Sequence, residues 1–224
     1  MAIPAPDFHR LFTVGSVYTH PQGHTATVAK LETSKLVMPT GQLAACDPFV
    51  YLPDDVAPFR TAVLPGAYTV AVSVVEIEHK DAPATEEPHY RVAAARVLVT
   101  GEEVASWELA LTGDQDLHDL GPDEFFGYGV DAGTGCFVDA SAAGSFGPFD
   151  GTDDDVLLDA FYGPQSGNPL VVTLIDPSSQ ATLVAFASGW GDGAYPTWVG
   201  RDDDGRVAAF VTDFHVVPSG DETE

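Results

Sequence analysis

The sequence predicts a mainly β chain of the α+β type: an antiparallel, twisted sheet or sandwich carrying one or two short helices. Three observations point there. Apolar residues recur with a period of two along most structured stretches, as in strands with one buried face. The chain's 22 glycines and 17 prolines interrupt it at short intervals, and Asp-Gly or Pro-Ser-Ser turns fall between alternating runs. Helical stripes with caps are few.

Taken in order, residues 67–78 are the clearest strand. Tyr68, Val70, Val72 and Val74 line one face, and the phase then slips to Val75 and Ile77, which predicts a β-bulge near Val74. Residues 90–100 and 104–111 follow as strands, expected to form a hairpin through the Gly101-Glu102-Glu103 turn. Residues 82–88, polar and proline-containing, read as a hairpin tip, and residues 122–126 as a turn of helix. Residues 140–151, rich in Ala, Gly and Ser, read as a surface loop. The best helix is 152–163, with Thr152 as cap, aspartates in the first turn, Gly163 at the end and a stripe of Val156, Leu157, Ala160 and Phe161. Residues 170–175, 182–187 and 206–217 supply three more strands, with turns at 177–180 and 202–205. No linker or repeat divides the chain, so residues 1–217 are expected to form one β-rich domain and residues 218–224 a disordered acidic tail.

Composition narrows the function. The chain has 34 acidic and 9 basic residues, a formal net charge of −25. That field repels phosphates and anionic lipid, so direct nucleic-acid binding is not expected; it favours a basic protein partner or simply solubility. No apolar run approaches the roughly 18 residues of a membrane helix. The first residues lack the basic and apolar regions of a signal peptide, so a cytoplasmic location without membrane association is expected. Cys46 and Cys136 stand outside any zinc-ligand spacing, and a buried apolar role is expected for Cys136, because thiolates need nearby positive charge. The scarce Arg91, Arg96, Arg201 and Arg206 stand out against so many acids; Arg201 and Arg206 are expected to pair around Asp202-Asp203-Asp204.

Candidate site residues lie in two glycine-rich stretches, 127–139 and 188–205. Asp131, Asp139 and Asp192 could converge if Gly133-Thr134-Gly135 closes a hairpin, and three carboxylates would suit Mg²⁺, Mn²⁺ or Ca²⁺. The same aspartates are equally read as turn-formers bonded to their own backbone. Asp213 and His215, two apart on an expected strand, would share a face opposite Phe210, Phe214 and Val216, as the base half of a triad with Ser188 or Cys136 as nucleophile. No nucleophile elbow is present. Trp190, Tyr195 and Trp198 are read as a stacking platform for a ring or sugar, or as packing.

The motifs Ala45-Cys-Asp-Pro-Phe49, Pro65-Gly-Ala-Tyr-Thr-Val70, Arg91-Val-Ala-Ala-Ala-Arg96, Trp107-Glu-Leu-Ala110, 127–139 and 188–205 together resemble the bacterial family catalogued as domain of unknown function 4241. The resemblance runs from about Gly41 to Phe214 and implies one domain, with no activity, substrate or cofactor attached. Residues 186–214 are also similar in layout to a sheet segment of immunity proteins that bind and neutralise toxins. Two functions follow as expectations. One is a non-catalytic acidic binding protein, an immunity- or antitoxin-like partner of a basic protein. The other is a metal-dependent hydrolase with Asp131, Asp139 and Asp192 as ligands and His215, oriented by Asp213, as general base.

Overall fold

The computed structural model describes residues 2–21, 23–52, 56–79, 88–147 and 155–218. Its elements are α1 (Phe8–Leu11), β1 (Val17–Thr19), β2 (His24–Met38), β3 (Leu43–Cys46), β4 (Gly66–His79), β5 (His89–Leu98), β6 (Ser106–Leu109), β7 (Gly127–Val130), β8 (Thr134–Asp139), α2 (Val156–Tyr162), β9 (Val171–Ile175), β10 (Thr182–Ala187), β11 (Gly193–Arg201) and β12 (Val207–Asp213). The fold is mainly antiparallel β. One sheet runs β1-β2-β4-β5-β12-β11-β6, with β7 on the same side of β11 as β6; a second runs β3-β8-β10-β9.

Register shows which side chains share a face. Across the large sheet Trp107, Gly200, Ala209 and Leu98 stand in one row, and Leu109, Trp198, Val211 and Arg96 in the next. This outer face carries α1: Phe8 meets Trp107 edge-on at 4.5 Å, and the buried Ser73 hydroxyl donates to Leu11 O at 2.6 Å. The inner face, with Val97, Phe210, Val199 and Thr197, joins Phe137, Val184 and Phe186 of the small sheet in one core. On the far face of the small sheet, Cys46, Cys136 and Ala185 pack with Leu157 and Phe161 of α2 in a second cluster. The order is therefore α1, large sheet, small sheet, α2.

The phase slip in β4 is real: the β4–β5 register shifts between Ser73 and Val74. The turns at 177–180 and 202–205 connect β9–β10 and β11–β12 as antiparallel neighbours. The expected hairpin through 101–103 does not form. Both edges of β5 are taken, by β4 and β12, and β6 pairs with β11 instead. Residues 122–126 form no helix, and residues 140–145 form a 3₁₀ helix capped by Asp139 rather than a plain loop. In α2 the cap is Asp155, whose carboxylate accepts from the Leu157 and Leu158 amides, and Thr152 lies outside the described residues. With that start Leu157 and Phe161, four apart, face the core, and Val156 is 59% exposed. The expected hairpin tip falls mainly on residues 82–87, and the tail on 219–224, both outside the described residues.

Candidate functional site

Three turns meet at one end of the sandwich. The turn after β3 buries Asp47 completely; its Oδ2 accepts from the Asp131 and Ala132 amides at 3.0 and 2.7 Å, and its Oδ1 from Phe49 N at 2.9 Å. Burial raises the Asp47 pKa above the ordinary carboxylate value in spite of those three donors. Tyr51 on the same turn donates its hydroxyl to Asp131 Oδ2. The turn between β10 and β11 supplies Asp192, whose Oδ1 accepts from Gly133 N at 3.1 Å. That turn is shaped by Gly189 at φ +57, where a β-carbon would stand 2.7 Å from Val216 Cγ2. The result is a braced, acidic turn cluster edged by Tyr51, 39% exposed, and Trp190, 52% exposed.

The structure brings Asp131 and Asp192 to adjoining turns and keeps Asp139 away from them. Strands β7 and β8, which flank the turn at 131–133, belong to different sheets: β7 pairs with β11, and β8 with β3 and β10. They cannot fold back on each other as a hairpin. Asp139 ends the extended β8 at the other end from Asp131. It is fully buried there and accepts from Thr40 N and Oγ1, Gly41 N, and Ser141 N and Oγ at 2.6–3.0 Å. Burial opposes its charge, but the Ser141 and Thr40 hydrogen bonds outweigh it and hold the pKa below the ordinary value. Each of the three aspartates thus anchors backbone or hydroxyl donors. Among the described residues no group of three or more His, Cys, Asp or Glu is arranged to hold a metal ion.

Asp213 and His215 do not share a strand face. β12 ends at Asp213, and Asp213 Oδ1 accepts from His215 N at 3.0 Å while His215 turns to φ +52. The ring Nδ1 still lies 3.4 Å from Asp213 Oδ2. Ser188 is buried, with its hydroxyl donated to Gly191 O at 2.9 Å. Of the three rings read as a platform, only Trp190 faces solvent, beneath the Arg91 guanidinium at 5.3 Å. Trp198 is 3% and Tyr195 5% exposed; the Tyr195 hydroxyl donates to Gly191 O at 2.7 Å.

Cys46 and Cys136 face each other across β3 and β8 as free thiols, with sulfurs 3.6 Å apart. Burial pushes the Cys136 thiol well above its usual pKa, the reverse of an activated nucleophile. Beside Cys46 opens a cavity of ≈ 320 Å³, lined among others by Tyr51, Phe59, Tyr128 and Thr197. The Tyr128 hydroxyl is buried, and burial raises its pKa well above the usual phenol value. It fits over Gly135, where a β-carbon would stand 2.6 Å from the oxygen.

Fold and site define an antiparallel two-sheet β protein with an acidic turn cluster at one end. The chain belongs to the family described as protein of unknown function (DUF4241), which matches residues 36–212. No curated protein and no solved structure matches it. No helix among the described residues is long and apolar enough to cross a membrane.

Proposed function

We propose that this chain is a non-catalytic, cytoplasmic binding protein whose acidic turn cluster receives a basic protein, in the manner of an immunity protein or antitoxin. One observation carries this reading. Asp131 and Asp192 sit on braced turns beside the exposed Tyr51 and Trp190, and no Lys or Arg among the described residues pairs with either carboxylate. Aromatic anchors next to fixed, unneutralised charge suit a cationic partner: the charge steers encounter and the rings supply contact area.

The test is calorimetric titration with a panel of small basic nuclease and toxin domains at low and raised salt. A saturating complex is expected with a member of that class, weakened by salt and about tenfold by Trp190→Ala with Asp131→Asn. Parallel titration of the chelator-treated protein with Mg²⁺, Mn²⁺ and Ca²⁺ separates the alternative. Stoichiometric metal binding lost in Asp131→Asn would favour a metal-dependent hydrolase and count against the binding reading.

A further inference from the structure

Beneath α1, on the outer face of the large sheet, lies a cavity of ≈ 500 Å³ whose lining includes Phe8, Arg96, Leu98 and Trp107 and, at its exposed edge, Glu102 and Glu103. Its walls are largely apolar; its one strong cation is Arg96 on β5. In a chain with 34 acids and 9 bases, an arginine should find a carboxylate. Arg206 holds Asp202 and Asp204, Arg201 holds Glu108, and Arg60 bonds the carbonyls of Gly113 and Gln115. Alone of the described arginines, Arg96 has neither a carboxylate nor a hydrogen-bond acceptor. Its guanidinium lies 4.2 Å from the Phe12 ring centroid, and its buried Nε has no partner. Burial lowers its pKa, so the site disfavours the charge that it nonetheless keeps.

An unpaired guanidinium at the edge of an apolar cavity is half of an interaction. We propose that this cavity binds a small organic monocarboxylate with an aromatic or otherwise apolar body. The carboxylate would take the guanidinium, and the body would lie against Phe8, Leu98 and Trp107. The volume lies in the range of small-molecule pockets, and apolar walls with one directing polar group are their usual make-up. The exposed Glu102 and Glu103, together with the net charge of −25, select against phosphates and other multiply charged anions, because a single guanidinium cannot neutralise them. Phe8 precedes the residues matched by the family, whereas Arg96, Leu98 and Trp107 lie within them.

The proposal is independent of the turn cluster, and its test uses defined probes on the full chain. 3-Phenylpropionate and indole-3-acetate are titrated by calorimetry and ligand-observed NMR beside their neutral amides and phenyl phosphate. Both acids should bind, with amides and phenyl phosphate about tenfold weaker or worse. Arg96→Gln should lose about tenfold for the acids and little for the amides, and Arg96→Lys should fall between. Glu102→Gln with Glu103→Gln, which alters only exposed side chains, should improve phenyl phosphate. Equal binding of acids and amides, no acid binding at millimolar concentration, or an Arg96→Gln variant that binds as wild type would each overturn it. The comparison of acid with amide holds on the unaltered protein even if Arg96→Gln fails to fold.

Discussion

The buried aspartates and the cavity beneath α1 treat charge in opposite ways. Asp47 in the turn cluster and Asp139 at the opposite end of β8 are fully buried, yet between them they accept from amides or hydroxyls of Phe49, Asp131, Ala132, Thr40, Gly41 and Ser141. Under α1 the Arg96 guanidinium is partly buried with no acceptor among the described residues. These carboxylates are structural: each takes a local turn amide and also donors from a distant part of the chain. Arg201 and Arg206 find partners close by in the chain, so the lack of one at Arg96 among the described residues says more about a ligand.

The largest expected effect breaks the aspartate side of this contrast. Asp139→Ala leaves the donors of Thr40, Gly41 and Ser141 without their acceptor in a buried site. It should lower stability by about 3 kcal/mol in urea unfolding followed by circular dichroism. Asp47→Ala strands three amides and should cost about 2 kcal/mol, less because its raised pKa shows that burial already disfavours its charge. If either variant were neutral, the donors would have other partners and the structural role would be wrong.

Acid should destabilise the protein through the aspartates whose hydrogen bonds hold their pKa down. Asp176 is lowered to about 2 by hydrogen bonds from Ser179 and Ser178, and Asp139 is also held below its ordinary value. A depressed carboxylate pKa contributes stability that is present above the unfolded value and lost as pH falls through the folded one. Stability should therefore decline between roughly pH 4 and pH 2. Asp47 works in the other direction, since with a raised pKa the folded state takes up that proton first. Asp176→Asn should flatten part of the decline; an unchanged profile would remove Asp176 from this account.

Much of the architecture was legible because it is local. The bulge in β4 shows as a parity change from Val74 to Val75, and the β9–β10 and β11–β12 turns as Pro-Ser-Ser and Asp-Gly runs between apolar strands. Pairing between distant strands was not legible. Nothing in Gly101-Glu102-Glu103 reveals that β12 already occupies the edge of β5, so a hairpin looked right. Strand β2, 15 residues long, escaped notice because Thr, Lys, Glu and Ser fill its solvent positions and a register shift at Val28/Lys30 breaks its alternation. The site followed the same rule. Asp131 and Asp139 look like a pair only if the segment folds on itself, and sheet assignment forbids that. Arg96 was visible as a scarce cation, but its missing partner is a fact of tertiary structure.

The smallest expected effect sharpens the cavity side. Arg96→Met removes a guanidinium that makes no ion pair or hydrogen bond among the described residues and keeps an apolar stem of similar length against Phe12. The loss is a cation–π contact; the gain is release from burying an unpaired charge. These terms oppose, so stability should change by no more than about 1 kcal/mol in either direction. That would set the partly buried Arg96 apart from the fully buried Asp139 and Asp47. A loss of about 3 kcal/mol in Arg96→Met would instead mean that the arginine holds the fold as the aspartates do. A group that can be removed at little expense to the fold, yet keeps its charge in an apolar cavity, is one whose partner comes from outside the chain.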